Sequence, residues 1–201
     1  MPKLRKPSQR KTMTDVPFSC ACGQIKGTLH HASPRSGTHA VCYCASCRAG
    51  EVYSGAPDPA PEPVGIFQTS PHLMTLTTGH DQLSVFSFGP KNLLRWKADC
   101  CGMAMFNTPR NPKLSFIGVR TTAIPDTTPI GPVIAKGFIP VPGKKSRHEN
   151  LTALLVMAIW RMLKSLVTGR WKANPLFDTA AGTPLHPVLV VSAEERAKLP
   201  L

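Results

Sequence analysis

Three thiols fall within six residues at Cys42-Tyr43-Cys44-Ala45-Ser46-Cys47, and a cation, Arg48, follows at once. Steps this short reverse the chain within one knuckle, so the sulfurs of Cys42, Cys44 and Cys47 can turn inward around a single ion. Zn²⁺ takes thiolates in tetrahedral geometry, and three protein ligands leave a fourth position for water or substrate, as catalytic sites do. Cys42, Cys44 and Cys47 are therefore candidate catalytic residues as well as metal ligands. Arg48 is the candidate for offsetting their charge and holding the carboxylates of a bound cofactor or substrate; its plainer reading is a solvated surface residue.

Four more cysteines lie in two pairs, Cys20-Ala21-Cys22-Gly23 and Asp99-Cys100-Cys101-Gly102. Cys20 and Cys22 share one side of an extended segment, because side chains there alternate with period two. Cys100 and Cys101 follow a strand far along the chain. A four-sulfur site from these pairs would staple the first strand to a late one, coupling metal binding to folding. Adjacent cysteines tend to point apart, so the second pair needs a local kink. Two zinc ions are expected, one closed and structural, one open. His30, His31 and His39 sit in a polar stretch, where histidine is more often solvated than ligating; His39, three positions before Cys42, stays an outside candidate. No Ser-His-Asp pattern, paired-carboxylate motif or phosphate-binding glycine loop competes for a catalytic role.

The elements that must position these thiols read as mainly β. The 201 residues are 42% hydrophobic, with Pro 21 and Gly 15, enough for one main domain with a core and too broken for many helices. Period-two or short apolar runs predict strands at Gln24–Leu29, Leu73–Thr77, Leu83–Phe88, Leu93–Lys97, Leu114–Val119 and Val133–Ile139, with a short one at Glu51–Gly55. Residues 30–40 read as a loop, and the proline-rich Pro57–Pro63 as an extended surface loop. A helix is predicted from Leu151, capped by Asn150 and stopped by Gly169. Its apolar stripe, Leu151, Leu155, Ala158, Met162 and Leu166, would pack on the sheet and leave Arg161, Lys164, Ser165 and Thr168 as a polar face. The sharper reading lays the helix on an anionic membrane, with Trp160 and Trp171 as anchors. Ser192 to Glu195 spells a capping box for a last short helix within an irregular tail. Three segments follow: a disordered basic tail at 1–15, a zinc-binding domain at 16–140, and a C-terminal helical extension at 150–201, with the Pro, Gly and basic residues of 140–149 as its edge.

Lys+Arg 24 against Asp+Glu 11 gives a net charge of +13, which suits an anionic partner: nucleic acid, a lipid surface or an acidic metabolite. The basic start lacks the apolar run of a secretory signal, and no stretch is long enough for a spanning helix. Seven clustered cysteines then suit metal binding in the reducing cytoplasm better than disulfides.

With Cys20-Ala21-Cys22-Gly23, Cys42-Tyr43-Cys44-Ala45-Ser46-Cys47-Arg48 and a strand ending in Cys101-Gly102, residues 17–107 resemble the family of glutathione-dependent formaldehyde-activating enzymes and centromere protein V. The resemblance implies a β-tent domain with two zinc sites. The structural one would fall to Cys20, Cys22 and the Cys100/Cys101 pair; Cys42, Cys44 and Cys47 would mark the activity and the glutathione site. It also implies carbon–sulfur lyase activity, joining glutathione and formaldehyde into S-hydroxymethylglutathione. The chain departs from the pattern at Tyr43, where the family usually has His, and at Ala98, where it usually has the first Cys of the last pair. Two functions are carried forward: a zinc enzyme of thiol–aldehyde adducts, and a non-catalytic zinc scaffold that binds nucleic acid or chromatin through its basic surface.

Overall fold

A computed structural model describes residues 14–200. The expected basic tail therefore lies outside the described residues up to residue 13, while Thr14 and Asp15 already belong to the first strand. In chain order the elements are β1 (Thr14–Ser19), β2 (Lys26–Ala32), β3 (Thr38–Cys42), α1 (Ala45–Ser54), β4 (Val64–Thr69), β5 (Met74–Thr78), β6 (Leu83–Ser87) and β7 (Leu94–Ala98). There follow β8 (Met103–Thr108), β9 (Ile117–Arg120), β10 (Ala135–Val141), β11 (Lys144–Glu149), α2 (Leu151–Val167), β12 (Phe177–Asp178), β13 (Thr183–Pro184), β14 (Val188–Val190) and α3 (Ala193–Ala197). The chain is mainly β with a C-terminal helix, as its short apolar runs predict.

Nine strands form one sheet in the order β11-β10-β3-β4-β9-β8-β7-β6-β14, and β1-β2-β5 form a second. Pairing is antiparallel except where β10 joins β3 and β14 joins β6 in parallel. The alternation that marks β2 reappears as buried Gly27, Leu29 and Ala32 against more exposed neighbours. Phe18 and Leu29 of the small sheet share one core with Phe67, Trp96, Met105, Phe106, Ile117 and Val119 of the large one. The rings of Phe18 and Phe106 meet edge to face, centroids 5.6 Å apart, at the junction of the two sheets.

The expected division at residues 140–149 is instead a hairpin. β10 and β11 pair there as the outermost strands of the large sheet, so the Pro-Gly turn marks a sheet edge. The segment beyond it contributes to the same body: Leu176 and Phe177 enter the core, and β14 extends the sheet beside β6. The predicted capping box is present, Ser192 Oγ accepting from the Glu195 N–H while Glu195 reaches back to the Ser192 N–H.

Three further expectations are overturned. Glu51–Gly55 is the last part of helix α1, closed by Gly55 in the left-handed region at φ 116°. More consequentially, α2 meets the sheet through only part of its expected stripe, Leu151, Ala158 and Met162, and through Arg161 and Ser165 of its expected polar face. Ala158 and Ser165 are its buried residues, whereas Leu155, Val156, Ile159, Leu163, Leu166 and Val167 are exposed and Trp160 is 69% exposed. The cause lies in what the helix covers: Arg161 donates to Thr38 Oγ1 (3.0 Å) and Gln68 Oε1 (3.1 Å), both buried polar residues of β3 and β4. Burying such groups without partners is costly, so these polar sheet residues select a polar partner on the helix. Asn150 also differs from expectation: it lies at φ 53° and caps nothing, its Nδ2 donating to the Ile134 carbonyl.

Candidate metal centres

Cys20 and Cys22 lie in the turn after β1, where the Gly23 N–H donates to the Cys20 carbonyl and Gly23 takes φ 76°. Their convergence is thus a property of the turn and not of an extended strand. Cys100 and Cys101 form the turn between β7 and β8, closed by the Gly102 N–H on the Ala98 carbonyl at 2.8 Å. That turn supplies the kink the adjacent pair requires. Sulfur–sulfur distances are 3.5 Å for Cys20–Cys22, 3.8 Å for Cys20–Cys100 and 3.3 Å for Cys22–Cys100, and Cys101 completes a group within 4.8 Å. Tetrahedral thiolates at a Zn–S distance of about 2.3 Å stand about 3.8 Å apart, so the donors fit zinc in kind and in spacing. Burial pushes the Cys20 thiol up, but the Ile25 N–H (3.3 Å) and the neighbouring thiols outweigh it and bring the group down to about 7. The Cys100 thiol is driven upward, first by burial and then by Cys22 and Cys20.

Cys42, Cys44 and Cys47 converge where β3 meets α1. Cys42 ends the strand, Cys44 is the N-cap of the helix, and Cys47 lies in its first turn with its N–H donating to Cys44 Sγ at 3.3 Å. A thiolate at a helix N-terminus is favoured by the free N–H groups and the dipole there. The sulfurs of Cys42 and Cys44 are 3.3 Å apart, and all three lie within 4.8 Å of one another. No fourth His, Cys, Asp or Glu donor joins this group among the described residues. Hydrogen bonds from the Cys42 and Cys47 thiols pull Cys44 strongly down, helped by the Cys47 N–H and the charge of Arg95, while the same contacts push Cys42 up. Negative charge therefore gathers on Cys44.

The cation predicted beside this cluster is engaged elsewhere. Arg48 forms a two-point ion pair with Asp58, its Nε 2.9 Å from Oδ1, in the proline-rich loop. The charges that face the cluster are Arg95 on β7 and Arg120 on β9, which reasoning from the sequence missed. Arg95 is 7% and Arg120 2% exposed. Arg95 donates to Ser46 Oγ at 2.8 Å, inside the Cys44–Cys47 turn, and Arg120 Nε lies 2.8 Å from Glu51 Oε1 on α1. Burial raises the Glu51 carboxyl, and Arg120 draws it partly back. Gly50 lets α1 lie on Arg95: a Cβ there would stand 2.9 Å from the guanidinium. Ser46 and Arg95 also line an open cleft of about 330 Å³ with Phe88, Asn92 and Leu93.

The histidines stand apart from both clusters. His39 Nδ1 is 2.7 Å from the Gly131 carbonyl, and His30 is held between Asp15 and Thr75.

Fold and clusters together define a mainly β protein whose two cysteine groups are compatible with zinc. Residues 13–187 match a family of unknown function, DUF6151, and the chain belongs to that family. A crystal structure of a Rhodobacter sphaeroides protein is similar at 17% identity and a TM-score of 0.42, covering 60% of this chain and 98% of that one. No curated protein matches the chain. Among the described residues no helix is long and apolar enough to cross a membrane.

Proposed function

We propose that the chain is a β-tent zinc protein of the formaldehyde-activating type, holding two zinc ions and acting in the cytoplasm as a carbon–sulfur lyase on adducts of glutathione, or a similar thiol, with an aldehyde. The single observation that carries this is the three-thiol group, with no fourth donor among the described residues beside it. Cys20, Cys22, Cys100 and Cys101 would hold the structural ion; Cys42, Cys44 and Cys47 would hold the other and leave one position open. Zinc there would keep an incoming sulfur as a thiolate near neutral pH. The adduct forms as that sulfur bonds to the aldehyde carbon and a proton ends on the carbonyl oxygen; the reverse step breaks the carbon–sulfur bond and returns thiol and aldehyde. Arg95, bonded to Ser46 and lining the cleft beside the turn, would bind a carboxylate of the thiol. Arg48 is already neutralised by Asp58, and its part is to anchor α1 to the loop. In a cobalt-substituted protein, glutathione should shift the visible bands of one ion and leave those of the other; an unchanged spectrum at saturating thiol overturns the open-site reading.

A second reading is favoured by the exposed Lys144, Lys145 and Arg147 on edge strand β11. It is a non-catalytic scaffold whose basic surface binds nucleic acid or chromatin, and steeply salt-dependent DNA binding with no thiol effect on cobalt would select it.

A further inference from the structure

A second cleft, of about 350 Å³, opens between α2, the 3₁₀ turn Pro71–Leu73 and the β2–β3 connection. It adjoins Thr38, and Thr38 and Cys42 are opposite ends of the five-residue strand β3, roughly 13 Å apart at 3.3 Å per residue. The cleft is thus separate from the three-thiol group. Arg35, Arg161, Lys164 and Arg170 line it together with His72, and no carboxylate does among the described residues. Three buried atoms in this lining have no hydrogen-bond partner among the described residues: Arg161 Nε, His72 Nδ1 and Ser165 Oγ.

We propose that this cleft binds a phosphate monoester. Arg161 is held in place by its bonds to Thr38 and Gln68, which spend one nitrogen and leave Nε as a preorganised donor. Burial lowers the Arg161 pKa with no acid beside it to offset the loss of water, and a bound anion supplies that offset. The terminal phosphate group carries close to two negative charges at neutral pH and three acceptor oxygens, matching several cations and the unpartnered polar atoms better than a carboxylate does. The size lies at the lower end of ligand cavities, as for a small headgroup. The phosphate has two sources. α2 exposes Trp160 one turn before the cleft residue Lys164, with Val156, Leu163 and Val167 on the same side, so a lipid-borne phosphate would meet charge and adjoining apolar surface; a soluble phosphate monoester needs only the cleft.

The test is calorimetric titration of the full, zinc-replete protein with inorganic phosphate, with sulfate and acetate at matched ionic strength as controls. Saturable one-to-one binding that favours phosphate is expected. Arg161→Gln should weaken it by about tenfold or more, the usual scale for losing a charge-assisted donor. Because Arg161 also bonds the sheet, Lys164→Gln serves as the second variant: it is exposed, and should lose roughly threefold in affinity with an unchanged melting temperature. Absence of saturable phosphate binding, or undiminished affinity in both folded variants, overturns the proposal. Once phosphate binding is seen, preference for vesicles containing phosphatidic acid, a monoester, over phosphatidylglycerol, a diester, assigns the lipid source. Phosphate binding without that preference assigns the soluble one.

Discussion

The two cysteine groups offer the same donor and span very different lengths of chain. Cys22 and Cys100 are 78 positions apart and join the tips of two hairpins, so an ion there closes a long loop and ties the small sheet to the large one. Cys42, Cys44 and Cys47 lie within six residues at one strand–helix junction, so an ion there closes almost no chain. Loop closure and coupled folding therefore weight the first group toward stability. The second is local, has no fourth donor among the described residues, and lies beside the buried Arg95 and Arg120. Sequence separation of the donors, more than their number, predicts which group the fold depends on.

The largest test of that contrast is Cys20→Ser. Losing a buried ligand of the long-range group should cost several kcal/mol, on the order of 5, and remove cooperative melting together with at least one equivalent of zinc. Cys44→Ser should instead lose one equivalent and keep a cooperative transition; collapse of the fold would show that the local group is structural too. Comparing Cys44→Ser with Cys44→Ala sharpens this, because serine retains an oxygen for the Cys47 N–H. The alanine variant should be less stable by about 1 kcal/mol, a melting difference of roughly 2–4 °C, measured by thermal denaturation. The smallest effect on the fold is expected from Arg95→Met. It should weaken glutathione binding by about tenfold while both zinc equivalents stay bound, and a loss of zinc would instead make Arg95 a support of the cluster.

Both groups are legible in the sequence because cysteine spacing is local information: three thiols in six residues, and two pairs followed by Gly23 and Gly102. The arginines behind Cys44 and Cys47 are not. Arg95 sits in Leu94-Arg95-Trp96-Lys97, which alternates like any half-exposed strand, and only the helix folded over it buries the charge. Helix α1 has no legible start in the sequence because its N-cap is a cysteine, outside the usual Ser, Thr, Asp and Asn set. α3 was readable because its cap is the common one. For α2 the position was legible and the orientation was not, since a helix's own pattern does not say whether the surface awaiting it is apolar; here Thr38 and Gln68 decide. Strands β3, β4 and β8 had no clean alternation to announce them and are defined by pairing with distant neighbours.

Strand β14 is three residues long and lies along the five-residue β6, which would otherwise end the large sheet. A shortened chain stopping at Pro187 would bare the backbone donors and acceptors of β6, beside the buried ring of Phe86. Open ladders of this kind recruit other strands. Such a truncation should therefore self-associate even with every cysteine in place, making Val188–Val190 a guard against polymerisation.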